Sequence, residues 1–193
     1  MKNLIKFTKK NQVDDLVNAL VENLRYCNPD YEYPDIDKVE SDDGVIAEWF
    51  YPIYNGTNDF SELTAIHMYT SQEIEFEEIG QLMLGIGLTE MKHLAKIGDL
   101  IKRLGGKIDQ RYNNSAVMIG KTSIEALNIA HTSELKTIEF YESLFDKISK
   151  LESTKTTEIT LELIRKLIED EKVHVKLLKE AIAEFNQENV SDE

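Results

Sequence analysis

The tetrapeptide Glu-x-x-His occurs twice in this chain, and each copy follows a helix-like segment that carries a Glu of its own. The first copy is Glu90-Met91-Lys92-His93 and the second is Glu171-Lys172-Val173-His174. Upstream of the first lies SELTAIHMYTS, Ser61 to Ser71; upstream of the second lies SELKTIEFYES, Ser133 to Ser143. Aligned, the two stretches agree at Ser, Glu, Leu, Ile, Tyr and Ser. A half-unit of Glu…Tyr followed by Glu-x-x-His is therefore repeated. Four carboxylates and two imidazoles are a donor set that suits two metal ions held between four helices.

The remaining composition fits helices. Glycine (9) and proline (3) are scarce, while Leu, Ile, Glu and Lys dominate. With 193 residues the chain is long enough for one domain with a substantial core. Its net charge of −14 argues against nucleic acid and against an anionic membrane surface as partners. No apolar run approaches a membrane span, and the basic N-terminus lacks the apolar stretch and cleavage site of a signal peptide. One cysteine, Cys27, excludes an intrachain disulfide and a four-thiolate metal site. A cytoplasmic location is expected.

Val13, Leu16, Val17, Leu20, Val21 and Leu24 form an amphipathic stripe that predicts a helix over 12–25. Residues 26–43, with Asn28-Pro29 and Tyr33-Pro34, read as an extended connector. Val45 to Tyr54 reads as a short helix or turn, so 1–56 is an N-terminal extension. A four-helix bundle is expected over 57–186, with helices at about 58–73, 76–104, 122–149 and 157–186. Gly105-Gly106 stops the second of these, and Thr122-Ser123-Ile124-Glu125 is a capping box opening the third. A polar tail, 187–193, follows.

The motif residues fall on the apolar seam of those helices. Ile79, Met83, Ile86, Glu90, His93, Ile97, Leu100 and Leu104 alternate steps of four and three. So do Ile164, Leu167, Glu171, His174, Leu178, Ala181 and Phe185, and also Leu127, His131, Glu134, Ile138, Tyr141, Phe145 and Ile148. Glu62, Ile66 and Tyr69 continue the pattern on the first helix. These are core positions of a bundle. Unpaired carboxylates there are costly and repel one another unless neutralised, and two divalent cations cancel the charge of four glutamates.

Heights along the bundle agree. Glu62 and Glu90 are centred on residue 76, and Glu134 and Glu171 on the polar stretch at 152–153. Antiparallel hairpins folded there bring each Glu level with its partner. The connector 105–121 spans up to about 56 Å at about 3.3 Å per residue, enough to cross a bundle about 40 Å long. The expected fold class is thus all-α, with up-down-down-up topology and a long crossover between the second and third helices.

One Glu from each of two helices plus Glu-x-x-His from each of the others resembles the ferritin-like di-metal carboxylate superfamily. Glu62-Leu63-Thr64-Ala65…Tyr69 and Gly87-Leu88-Thr89-Glu90-Met91-Lys92-His93-Leu94 are similar to its rubrerythrin-like and manganese-catalase-like branch. The resemblance covers 57–185. It implies that Glu90 and Glu171 bridge the two ions, that Glu62 and His93 bind one, and that Glu134 and His174 bind the other. It also implies that Tyr69 and Tyr141 hydrogen-bond ligand carboxylates. His131, three residues before Glu134, is either an extra ligand or a satisfied core histidine. The aromatic group Trp49, Phe50, Tyr51 and Tyr54 is expected to pack on the bundle or on a second subunit, and a homodimer is expected.

Oxygen and nitrogen donors suit iron or manganese and leave the choice between them open. Two such ions can exchange two electrons with peroxide, so reduction or dismutation of hydrogen peroxide is the expected activity, with hydrogen peroxide or dioxygen as the small reactant. The chain has no Cys-x-x-Cys, so a peroxidase of this kind needs an external electron-donor protein. The alternatives are a ferritin-like iron-binding, ferroxidase or storage protein and a non-catalytic module of the spore-coat type.

Overall fold

Hydroxyl side chains mark three of the helix starts. In the computed structural model, which describes residues 26–40, 44–108 and 111–191, Ser61 caps α2 (Glu62–Glu75) by accepting from the Thr64 amide. Thr122 caps α4 (Ser123–Ile148) by accepting from Glu125 N at 3.3 Å, while the Glu125 carboxylate accepts from Lys121 N at 2.9 Å. Thr154 and Thr157 exchange backbone-to-hydroxyl bonds of 3.2 and 2.8 Å ahead of α5 (Lys155–Ser191). The remaining helices are α1 (Gly44–Tyr54) and α3 (Gly80–Arg103). Among the described residues the structure is all-helical, with one isolated bridge and no strand.

The boundaries differ from the expected ones for local reasons. Asn58 accepts from Phe60 N at 3.0 Å in a turn, which delays α2 to Glu62. Phe76 is extended, and a 3-10 turn, Glu77–Ile79, follows, so α3 begins at Gly80 and not at 76. The expected polar tail continues α5 as far as Ser191, because no Gly or Pro interrupts the chain after Gly120. The helix expected over 12–25 lies outside the described residues. The connector is irregular over 26–40 apart from the 3-10 turn Ile36–Lys38.

The C-terminus of α3 is a Schellman turn. Gly105 has φ 77°, Gly106 N donates to Ile101 O at 2.8 Å, and Gly105 N donates to Lys102 O at 3.2 Å. Only glycine adopts that backbone without steric cost. The crossover that follows is pinned to the loop before α2. Gly56 N donates to Arg111 O at 3.0 Å and Gly56 O accepts from Asn113 N at 2.6 Å. A Cβ on Gly56 would meet the Tyr112 ring at 2.4 Å, so this approach requires glycine.

Two apolar clusters fill the interior. One joins Phe50 and Ile53 of α1 to Ile97, Leu100, Leu144, Leu163 and Leu167. The other joins Met68, Met83, Ile86, Leu127, Ala130 and Leu178. On α3 the first cluster begins at Ile97 and the second ends at Ile86; on α5 they lie at Leu167 and Leu178. Each pair brackets a motif, so the motifs form a polar layer between two apolar ones. Phe50 is fully buried, and Trp49, Tyr51 and Tyr54 lie half-buried against the bundle, with Lys147 Nζ 3.6 Å from the Trp49 ring centroid.

Candidate metal centre

Helix periodicity delivers the six expected residues to one buried layer. Glu62 comes from the first turn of α2, Glu90 and His93 from the middle of α3, Glu134 from α4, and Glu171 and His174 from α5. None is more than 3% exposed. They form two overlapping groups, Glu62–Glu90–His93–Glu171 and Glu90–Glu134–Glu171–His174. Within each group the donor atoms all lie within 4.8 Å of one another.

Glu90 and Glu171 belong to both groups, and their oxygens divide between the two imidazoles. His93 Nδ1 is 3.2 Å from Glu90 Oε2 and 3.1 Å from Glu171 Oε1. His174 Nδ1 is 3.0 Å from Glu90 Oε1 and 2.8 Å from Glu171 Oε2. The outer carboxylates complete the pattern: Glu62 Oε2 is 3.6 Å from His93 Nδ1, and Glu134 Oε1 is 3.7 Å from His174 Nδ1. The rings face each other with centroids 5.9 Å apart. The two halves are thus related by a pseudo-twofold arrangement.

The tyrosines cross between halves. Tyr69 of α2 donates to Glu134 Oε1 of α4, and Tyr141 of α4 donates to Glu62 Oε1 of α2. Both rings are fully buried. The pairings 62 with 141 and 69 with 134 make α2 and α4 antiparallel.

Burial and close charges compete in this layer. Burial, and then the charge of Glu90, hold the Glu62 carboxyl well above its ordinary range. Burial, and then Glu171, do the same to Glu134. Burial alone would raise Glu90 as well, but the two imidazoles outweigh it and hold Glu90 well below. Burial would lower both histidines; the surrounding anionic groups outweigh it, and both are raised well above 6.5. Burial raises the Tyr69 and Tyr141 hydroxyls, reinforced by Glu134 and Glu62, so both remain donors.

Cations fit this layer better than protons do. Among the described residues, buried oxygens Glu62 Oε2, Glu90 Oε1 and Glu171 Oε1 have no hydrogen-bond partner, a costly state for an acceptor. Each lies 3.0 to 3.6 Å from an imidazole Nδ1 of a group whose donor atoms are close enough to share an ion. The buried Glu and His groups can therefore hold metal.

His131 does not join them. It is half-buried and outside both groups, because three residues along α4 displace it about 4.5 Å toward the apolar cluster around Ala130. His67 is exposed and packs on Tyr112, with ring centroids 4.8 Å apart.

A group that the seam pattern did not single out lies behind His93. Asp170 is fully buried and takes His93 Nε2 at 3.3 Å on Oδ2. It also accepts from Tyr33 OH at 2.6 Å, Lys166 Nζ at 2.6 Å and Asn28 N at 2.6 Å. Burial works against the Asp170 charge, but His93 and Lys166 bring its carboxyl down to about 2. The only sequence signal was Lys166 and Asp170 at i, i+4 beside Leu163 and Leu167. Tyr33 and Asn28 come from the N-terminal connector, which has no periodicity to read.

No protein-family model matches this chain, and comparison with curated proteins finds no match.

Proposed function

We propose that this chain is a dinuclear metal-carboxylate protein of the ferritin-like kind that turns over hydrogen peroxide with two iron or manganese ions. One observation carries this reading: Glu90 and Glu171 each offer one oxygen to each half of a buried site. Glu90 and Glu171 would bridge the ions, Glu62 and His93 would complete one site, and Glu134 and His174 the other. The antiparallel pairing of α2 with α4, together with the long crossover, supports an up-down-down-up bundle.

When bound, a pair of such ions supplies two-electron exchange with peroxide. The protein's own groups do the rest. The apolar clusters above and below exclude water. Tyr69 and Tyr141 fix the outer carboxylates and keep their protons; Tyr141 takes Glu62 Oε1 and leaves Oε2 toward His93, while Tyr69 takes the Glu134 Oε1 that faces His174. The raised Glu62 and Glu134 carboxyls favour their protonated forms in the metal-free protein and would release those protons on binding an ion.

The test is to load metal-free protein separately with Fe(II) and Mn(II), measure stoichiometry, and then add peroxide. Two ions per chain with rapid oxygen evolution support a catalase; consumption only in the presence of a donor supports a peroxidase. Iron oxidised by dioxygen and retained far beyond two ions per chain, without peroxide turnover, would replace this reading with storage. Failure to bind two ions would end it.

A further inference from the structure

The two halves of the repeat match at every proposed ligand but not behind the imidazoles. Aligning Glu90-x-x-His93 with Glu171-x-x-His174 places Thr89 opposite Asp170 and Gly85 opposite Lys166. His93 Nε2 lies 3.3 Å from Asp170 Oδ2. His174 Nε2 is buried and has no partner among the described residues. Thr89 cannot serve as the missing acceptor, because its hydroxyl turns back to Gly85 O at 3.3 Å within α3. The space that a side chain at Gly85 would take is filled by the Tyr26 ring, 2.0 Å from a Cβ placed there. A buried Lys–Asp pair in one half is thus replaced by a Gly–Thr pair and an aromatic plug in the other.

On the reading of the site given above, we infer that the two metal positions are unequal, and that the His93 position fills first while the His174 position holds its ion more weakly. Both imidazoles direct Nδ1 at the carboxylates, so a neutral ligand must carry its proton on Nε2. At His93 that N–H has a carboxylate to donate to, which fixes the tautomer and the ring orientation. At His174 the same N–H is left buried without an acceptor, a state that opposes ligation. Partners of this kind are worth about 10–100-fold in metal affinity, and that is the separation expected between the two binding steps. The duplicated ligands thus hide a division into a retained and an exchangeable ion.

Cobalt(II) is the probe, because its visible absorption reports each site without any activity. Titrating the metal-free wild-type protein is expected to give two steps about 10–100-fold apart in Kd. Crystals grown with one equivalent should place the anomalous cobalt signal beside His93. In Asp170→Asn the tight step should weaken about tenfold or more toward the other. Should that variant fold poorly, the wild-type titration and the anomalous occupancy decide alone. Two indistinguishable steps with equal occupancy, or occupancy favouring His174, overturn the inference but leave the dinuclear reading standing. Binding of fewer than two ions overturns both.

Discussion

Tyr69 on α2 and Glu134 on α4 are hydrogen-bonded across 65 residues of sequence, and Tyr141 and Glu62 repeat the bond in reverse. Each half of the repeat therefore holds the other's carboxylate, and neither half-site is complete alone. Removing one hydroxyl tests this. Tyr69→Phe leaves the ring's packing intact but strips Glu134 Oε1 of its donor. The metal-free protein is expected to lose about 1–3 kcal/mol by urea unfolding, with metal affinity down about 10–100-fold. Tyr141→Phe should act equally on Glu62. An unchanged affinity in both variants would reduce these tyrosines to packing.

Alanine at the four glutamates should fall into two classes. Glu90 and Glu171 are shared by both groups, whereas Glu62 and Glu134 each belong to one. Glu90→Ala or Glu171→Ala is expected to abolish binding of both ions. Glu62→Ala or Glu134→Ala should leave about one ion per chain. Helicity should stay near wild type, because each substitution removes buried acid and keeps a good helix former. Elemental analysis after loading gives the counts; full occupancy in Glu90→Ala sinks the bridging role.

The six proposed ligands were legible because helix periodicity is: a Glu or His on an apolar seam stands out against Ile86, Ile97, Leu167 and Leu178. The crossing of Tyr69 and Tyr141 was not legible. Sequence places each tyrosine on a face, but which carboxylate it reaches depends on how the two hairpins dock. The support behind His93 was hidden for a different reason. Asp170 and Lys166 lie off the seam, and their partners Tyr33 and Asn28 sit in an irregular segment some 140 residues away. Contacts made by irregular chain carry no repeat. The boundary at Gly80 was missed because Phe76 leaves the helical conformation without a Gly or Pro to announce it.

Protons and metal should compete, with opposite pH trends in the two forms. In metal-free protein Glu62 and Glu134 are raised above their ordinary 4.5 and both histidines above 6.5. The folded state therefore holds more protons than the unfolded chain, and its stability falls as pH rises above about 4.5 and again above about 6.5. Glu90 and Asp170 are lowered, and their contribution is lost as pH falls below the ordinary 4.5 of Glu90 and, for Asp170, from 3.8 to about 2. Metal-free Tm should peak at mildly acidic pH and fall from pH 5 to 8. Ions that displace these protons bind more tightly as pH rises, so loaded protein should gain Tm over the same range. A metal-free Tm that climbs from pH 5 to 8 would contradict the assignment.

The buried pair behind the site separates stability from ligation. Lys166 and Asp170 are joined at 2.6 Å, with side chains only 4% and 0% exposed. Lys166→Met leaves the Asp170 charge with polar donors but no adjacent partner on α5, and should cost about 3–5 kcal/mol in urea unfolding of the metal-free protein. Replacing both, Lys166→Met with Asp170→Leu, removes the stranded charge and should recover much of that loss, since well-packed apolar residues often substitute for a buried ion pair. The double variant alone removes the acceptor for His93 Nε2, so its metal affinity should fall below that of Lys166→Met even as its fold recovers. If the double variant is as unstable as Lys166→Met, the cost arises from lost packing around Tyr33 and not from an uncompensated charge.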